Sequence, residues 1–166
     1  MIEVYNEGHT PKGTAVTALI LHTFRANGRL LRAGDLLCRD LEVTSARWQA
    51  LGAILDTPKT VAQIAREFEL TRQGVLPVVR SMAKDGLVKL VANPNHRRAK
   101  LVQITDRGRV IYKELLRRQA SWANDLGKSF TVAELQQAAD VLSRLGDAVR
   151  SHPLTAEAER NRRTGS

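Results

Sequence analysis

The stretch from Thr60 to Thr105 constrains the fold of this chain more than any other part of the sequence. Its first half contains two short runs of apolar residues at the three- and four-residue steps of an amphipathic helix, with only a few residues between them. Its second half contains two runs typical of strands, separated by a loop rich in basic and turn-forming residues. The order of helix, tight turn, helix and hairpin predicts a winged helix-turn-helix.

Capping signals mark the ends of both helices. Thr60 and Gln63 form the S/T-x-x-E/Q pattern of a capping box, and Thr71 is the expected N-cap of the second helix. Gly86 lies where a left-handed residue would end that helix. The buried face of the second helix is predicted from its apolar residues at i, i+3, i+4 and i+7, which are Val75, Val78, Val79 and Met82.

The opposite face of the second helix carries side chains suited to the major groove of DNA. Arginine can pair with guanine, glutamine with adenine, and lysine with phosphate. The alternative is a face that is only solvated, as charged helix faces often are. We expect DNA contacts from the five outward residues, which are Arg72, Gln73, Leu76, Arg80 and Lys84.

The hairpin would present a basic tip. Two strand-like runs, residues 87–91 and 100–104, enclose the loop ANPNHRRA, whose Asn-Pro and Asn residues favour a turn. Arg97 and Arg98 suit a minor groove, because its negative potential attracts arginine. The alternative is a solubilising surface pair. We expect both arginines to enter the minor groove and Lys100 to contact phosphate.

The net charge of +9 is concentrated in the same part of the chain. Residues 60–109 carry ten basic and four acidic side chains, an excess of +6, whereas residues 1–59 and 110–166 carry excesses of +1 and +2. Such concentration indicates a polyanionic partner. Because the charge is spread over a helix and a hairpin, a basic membrane-surface helix is disfavoured. No apolar run is long enough to span a bilayer, so we expect a cytoplasmic protein without membrane contact.

The hairpin and the residues after it resemble the wing of the MarR family of bacterial transcription regulators. The family pattern D-P-x-D-R-R-A-x-x-V-x-L-T-x-x-G corresponds here to NPNHRRAKLVQITDRG, residues 93–108. His96 replaces an acidic residue that would orient the wing arginine Arg98. Pro77 lies inside the recognition helix, where proline removes the hydrogen bond to the carbonyl of Gln73. We therefore expect a kink or a distorted first turn in that helix.

The resemblance implies a homodimer that binds an inverted-repeat operator on double-stranded DNA, is expected to act as a repressor, and is released by a small phenolic or amphipathic effector. It also implies an effector crevice beside the dimerisation helices, with His22, Arg25 and Trp48 as candidate contacts. Some relatives sense oxidants through cysteine, so Cys38 offers a redox-sensing alternative, although a buried structural thiol is the simpler interpretation. A winged-helix module that binds protein rather than a specific DNA site is the other alternative.

Long amphipathic stretches flank the segment on both sides. We predict a mainly α, single domain over residues 1–166 with a two-strand wing. Its parts are an N-terminal dimerisation helix, the DNA-binding lobe, C-terminal dimerisation helices and a flexible tail, at residues 10–43, 44–109, 110–152 and 153–166. The sequence has no glycine-rich phosphate loop, G-x-S-x-G or H-E-x-x-H motif, and its histidines lack ligand spacing. We therefore expect no enzymatic activity, no metal and no cofactor.

Overall fold

The computed structural model describes residues 8–41, 43–96 and 98–155. These residues form six α-helices, one 3-10 turn and three strands, so the mainly helical winged-helix prediction is confirmed. In chain order the elements are α1 (Pro11–Cys38), the 3-10 turn (Arg39–Leu41), α2 (Ser45–Ala53), β1 (Lys59–Thr60), α3 (Val61–Glu67), α4 (Arg72–Lys84), β2 (Val88–Val91), β3 (Leu101–Ile104), α5 (Asp106–Gly127) and α6 (Val132–Ser151).

The helix caps follow the local signals in the sequence. Thr60 and Gln63 form the complete capping box of α3, and the hydroxyl of Thr71 accepts a hydrogen bond from the amide of Gly74 at 3.1 Å. Gly86 follows α4 with a φ of +70°. α4 is one continuous helix with Pro77 inside it. Its first turn is capped and closed, so the proline has not distorted that turn.

The wing consists of three strands, one more than the sequence indicates. β3 lies in the centre of an antiparallel sheet of order β1-β3-β2, with Leu90 opposite Val102 on one side and Lys59 opposite Val102 on the other. β1 is only two residues long and has no periodic apolar pattern. It connects the hairpin directly to the N-terminus of α3 because Thr60 is both its last residue and the helix N-cap.

The core lies under the recognition helix. α4 contributes Val79 and Met82, which are 1% and 0% exposed, and these pack in one cluster with residues from α2, α3, the sheet and α5. The large side chains buried with them are Leu51, Ile54, Ile64, Leu87, Val102 and Leu115. Burial of this cluster fixes the rotation of α4 about its axis, and its polar face is therefore presented outward.

The chain divides into two compact units. The first, up to Gln119, contains the helix-turn-helix, the wing and the core. The second, from Ala120, contains the end of α5 and α6, whose apolar residues Leu135, Leu142 and Val149 are 44–48% exposed. No helix in the described ranges is long and apolar enough to cross a membrane.

Candidate nucleic-acid interface

The recognition helix α4 is held by its buried face and by its N-cap. Its apolar residues pack on α2 and α3, while Arg72, Gln73, Pro77 and Arg80 are all exposed. In the turn before α4, the amide of Leu70 donates to the carbonyl of Ala65 at 2.8 Å, so the two helices are connected tightly. The polar face of α4 is consequently a rigid, outward-facing surface.

A side-chain tie fixes the C-terminal end of α4. The guanidinium of Arg47 on α2 binds Asp85 with an Nη2–Oδ2 distance of 2.7 Å, and the same nitrogen donates to the hydroxyl of Ser81. The Arg47 side chain is 15% exposed, so this pair is partly shielded from water. α4 is therefore anchored at both ends, by its cap at Thr71 and by Arg47.

The tip of the wing is ordered by an asparagine turn. The side chain of Asn93 accepts a hydrogen bond from the amide of Asn95 at 3.0 Å, and the main-chain carbonyl of Asn93 accepts one from the amide of His96 at 3.2 Å. Asparagine stabilises such turns because its side chain imitates a backbone acceptor. Arg98 follows this turn and is exposed, whereas Arg97 lies outside the described residues.

A groove of about 970 Å³ lies between α3, α4 and the hairpin. Its described lining contains cations from three elements and no carboxylate. The cations are Arg66, Arg72, Arg80, Arg98 and Lys100. The ion pairs recorded among the described residues involve none of these five cations. Because its lining holds five cations and no carboxylate, the groove attracts a polyanion such as the phosphate backbone of a nucleic acid.

The structure brings together five of the residues that the sequence analysis singled out. Arg72, Leu76, Arg80, Arg98 and Lys100 all line the groove. Leu76 is half-buried between the two arginines on its helix, one turn away from each, so the groove has an apolar patch with cations on both sides.

Three other residues relate to the groove differently. Gln73 is exposed on α4 but does not line the groove. Lys84 lies in the last turn of α4 and lines a second cavity of about 250 Å³ with Arg47, Asp85 and Arg107. Arg66 of α3 lines the groove and was missed in the sequence, where only its position off the apolar face of α3 distinguishes it.

The candidate effector residues are not gathered in either cavity. His22 and Arg25 are exposed one turn apart on α1. Trp48 is half-buried on α2 and packs against the core cluster. Neither the groove nor the second cavity includes any of the three.

Cys38 is fully buried at the end of α1. Burial raises the pKa of its thiol, and the nearby carboxylate of Asp35 raises it further, while Arg118 acts in the opposite direction. A raised pKa leaves little of the reactive thiolate at neutral pH. These properties support the structural role of Cys38 over the redox-sensing alternative.

Arg118 ties α5 to the end of α1. Its guanidinium donates to Asp40 Oδ2 at 2.7 Å, to Glu114 Oε1 at 2.8 Å and to the carbonyl of Leu37 at 3.0 Å. Hydrogen bonds from Arg118 lower the pKa of Asp40 to about 2, and those from Arg117 and Arg118 lower the pKa of Glu114 to about 2. Arg118 thus satisfies one of the last carbonyls of α1 while it neutralises two carboxylates.

Comparison with known proteins agrees with this geometry. A sequence model of the MarR family matches residues 41–99. The chain is 34% identical over 130 residues to the uncharacterized protein Rv2011c of Mycobacterium tuberculosis, an alignment that spans 78% of this chain and 91% of that protein.

Solved structures share the fold at lower identity. A mutant MarR from E. coli complexed with operator DNA superposes with a TM-score of 0.72 at 18% identity, over 79% of this chain and 95% of that one. The PcaV transcriptional regulator from Streptomyces coelicolor in complex with its natural ligand superposes with a TM-score of 0.66 at 24% identity, over 79% of this chain and 96% of that one. With the family match, the relative of similar length, the winged-helix fold and the wing motif all in agreement, the chain belongs to the MarR family of transcription regulators.

Proposed function

We propose that this protein is a sequence-specific, DNA-binding transcriptional repressor. The observation that carries the proposal is the groove between α3, α4 and the wing, in which five cations meet no carboxylate among the described residues. Phosphate contacts give affinity without sequence information, so specificity must come from groups that reach base edges. Arg72, Leu76 and Arg80 supply such groups from a helix whose rotation the core fixes.

We propose that two copies of the chain act together. α1 is 28 residues long and exposes Phe24, Leu30 and Leu36 at 55–69%, and α6 exposes a further apolar face. Exposed apolar residues that repeat along long helices are suited to burial against another chain. A two-fold dimer would present two α4 helices and two wings to an inverted repeat.

Binding to the DNA immediately upstream of the protein's own gene tests the proposal. We would measure it near 150 mM salt with excess nonspecific competitor, because any basic surface binds DNA weakly. Specific binding should weaken by about 1 to 3 kcal/mol for Arg80→Ala and for Arg98→Ala. Binding to a randomised duplex pool identifies the preferred site if the upstream DNA does not contain it. Specific binding to neither DNA would contradict the proposal.

Lys84→Ala is the matched control for Arg80→Ala. Both variants remove one positive charge from the exposed face of α4, one turn apart, but only Arg80 lines the groove. If the groove is the DNA site, Arg80→Ala should cost specificity, while Lys84→Ala should change affinity less. An equal loss in both variants would indicate that only net charge matters.

We further propose that a small phenolic or amphipathic effector releases the DNA. PcaV, which shares this fold, was solved with its natural ligand. His22 and Arg25 on α1 and Trp48 on α2 are the proposed contacts, and the exposed cation of Arg25 would select anionic effectors. Phenolic carboxylates should release DNA from the wild type at lower concentrations than from Arg25→Ala. The same response in both proteins would exclude Arg25 from the effector site.

A further inference from the structure

We propose that the main-chain carbonyl of Gln73 reads a base in the major groove, and that Pro77 is the residue that makes this carbonyl available. The base would be cytosine or adenine, the two that present an amino group there. The inference rests on the proposed function, because it requires α4 to lie in the major groove. It assigns to the backbone of α4 a base preference in addition to those of its side chains.

The carbonyl lacks its usual donor for a chemical reason. In an α-helix the carbonyl of residue i accepts from the amide of residue i+4, and for Gln73 that residue is Pro77, which has no N–H. α4 nevertheless continues through Pro77 to Lys84. In the part of the chain that the structure describes, no donor outside α4 hydrogen-bonds to this oxygen.

Gln73 lies on the exposed face of α4 that would enter the major groove, although it does not line the cationic groove between α3, α4 and the wing. At 100° per residue, Gln73, Pro77 and Arg80 fall on one side of α4, opposite the buried residues Val75 and Met82. All three outward residues are exposed. The same proline on the buried face would have left the carbonyl inside the core, where an unpaired acceptor costs about 1 to 3 kcal/mol.

In the major groove, an acceptor on the protein distinguishes bases that present a hydrogen-bond donor from bases that present only acceptors. Cytosine offers its N4 amino group and adenine its N6 amino group, whereas guanine and thymine present the acceptors O6, N7 and O4. In the unbound protein, this carbonyl would be hydrated, because Gln73 and Pro77 are exposed. When α4 docks and that water leaves, cytosine or adenine can replace it, while guanine or thymine would leave two acceptors facing each other.

Selection from a randomised duplex pool, with three versions of the protein, tests the proposal. Pro77→Ala restores an N–H that bonds to the Gln73 carbonyl inside the helix. Pro77→L-lactate, which replaces the amide by an ester, removes the ring but supplies no N–H. Wild type and the ester variant should both restrict one position of each half-site to cytosine or adenine. The alanine variant should accept all four bases at that position.

Base analogues then test the hydrogen bond itself. In the selected duplex, the cytosine or adenine at that position is replaced by 2-pyrimidinone or by purine, which lack the amino group. Wild-type affinity should fall about five- to tenfold, and affinity of the Pro77→Ala protein should not change. A merely structural role of Pro77 would alter affinity for all sequences alike and would leave the analogue effect equal in both proteins.

The outcomes separate this inference from the proposed function. If wild type selects no sequence at all, the proposed function fails and the inference fails with it. If wild type selects a site but Pro77→Ala keeps the same preference at every position, only the inference is overturned. The same holds if the ester variant behaves like the alanine variant, because loss of the ring would then be the cause.

Discussion

Replacing Gly108 by alanine should destabilise the protein more than a surface change in a helix normally does. Gly108 lies in the first turn of α5 and is buried against the start of the hairpin. A Cβ at this position would lie 2.3 Å from the carbonyl oxygen of Leu87 and 2.8 Å from Cγ1 of Ile104. Because the closer atom belongs to the backbone, rotation of a side chain cannot relieve the overlap.

The contact is close because hydrogen bonds made by Thr105 draw these segments together. The amide of Thr105 donates to the carbonyl of Leu87 at 3.1 Å, and its hydroxyl donates to the carbonyl of Gly86 at 2.7 Å. The amide of Gly108 donates to the same hydroxyl at 3.1 Å. The Thr-x-x-Gly of the wing motif is therefore a structural lock between α5 and the hairpin, and it does not itself contact the groove.

The loss of stability in Gly108→Ala can be worked out from this overlap. Bringing the new Cβ to 3.0 Å from the Leu87 oxygen requires a backbone shift of about 0.7 Å. Overpacking of this kind costs about 1 to 3 kcal/mol. Weakening two of these hydrogen bonds adds about 1 kcal/mol each. The better helix propensity of alanine returns about 1 kcal/mol. The net loss in the free energy of unfolding should be about 2 to 4 kcal/mol.

Urea denaturation followed by circular dichroism measures this loss. Gly146→Ala is the matched control, because Gly146 lies inside α6 and a Cβ there would meet nothing within 4 Å. That variant should be unchanged or more stable by up to about 1 kcal/mol. If Gly108→Ala were as stable as Gly146→Ala, the close packing of α5 on the hairpin would be refuted.

Two further predictions concern a charge cluster and a strained residue. Arg118 and its neighbour lower the pKa values of Asp40 and Glu114 to about 2, below the ordinary 3.8 and 4.5, so their stabilisation is complete above about pH 4.5 and is lost as the pH falls toward 2. Asp40→Asn should therefore flatten the acid side of a plot of unfolding free energy against pH, and an unchanged slope between pH 4 and 2 would contradict the Arg118 tie. Glu69 has a φ of +54° in the turn between α3 and α4, a conformation that asparagine tolerates better than glutamate or alanine. Glu69→Asn should raise the unfolding free energy by about 0.5 to 1 kcal/mol in urea melts, whereas an equal gain in Glu69→Ala would exclude relief of backbone strain as the reason.

The sequence by itself determined the features that depend on residues close together in the chain. The capping box at Thr60, the cap at Thr71 and the left-handed Gly86 were all predictable, because a cap joins residues three or four positions apart. The apolar steps of α4 likewise predicted which face is buried. The outward position of Arg72 and Arg80 followed from that face alone, since a helix has a fixed angle per residue.

The tertiary structure decided everything that depends on distant segments. β1 forms because Lys59 and Thr60 pair with β3, about forty residues later, and no local pattern encodes that pairing. The packing of α3 beside the wing brings Arg66 into the groove, while the tie between Arg47 and Asp85 places the last turn of α4, with Lys84, beside a different cavity. Residues that look equivalent on one helix, such as Arg80 and Lys84, become distinct only when different neighbouring elements surround them. The periodicity of one helix predicts which of its side chains point away from the core. The residues that line a site, however, come from segments far apart in the sequence.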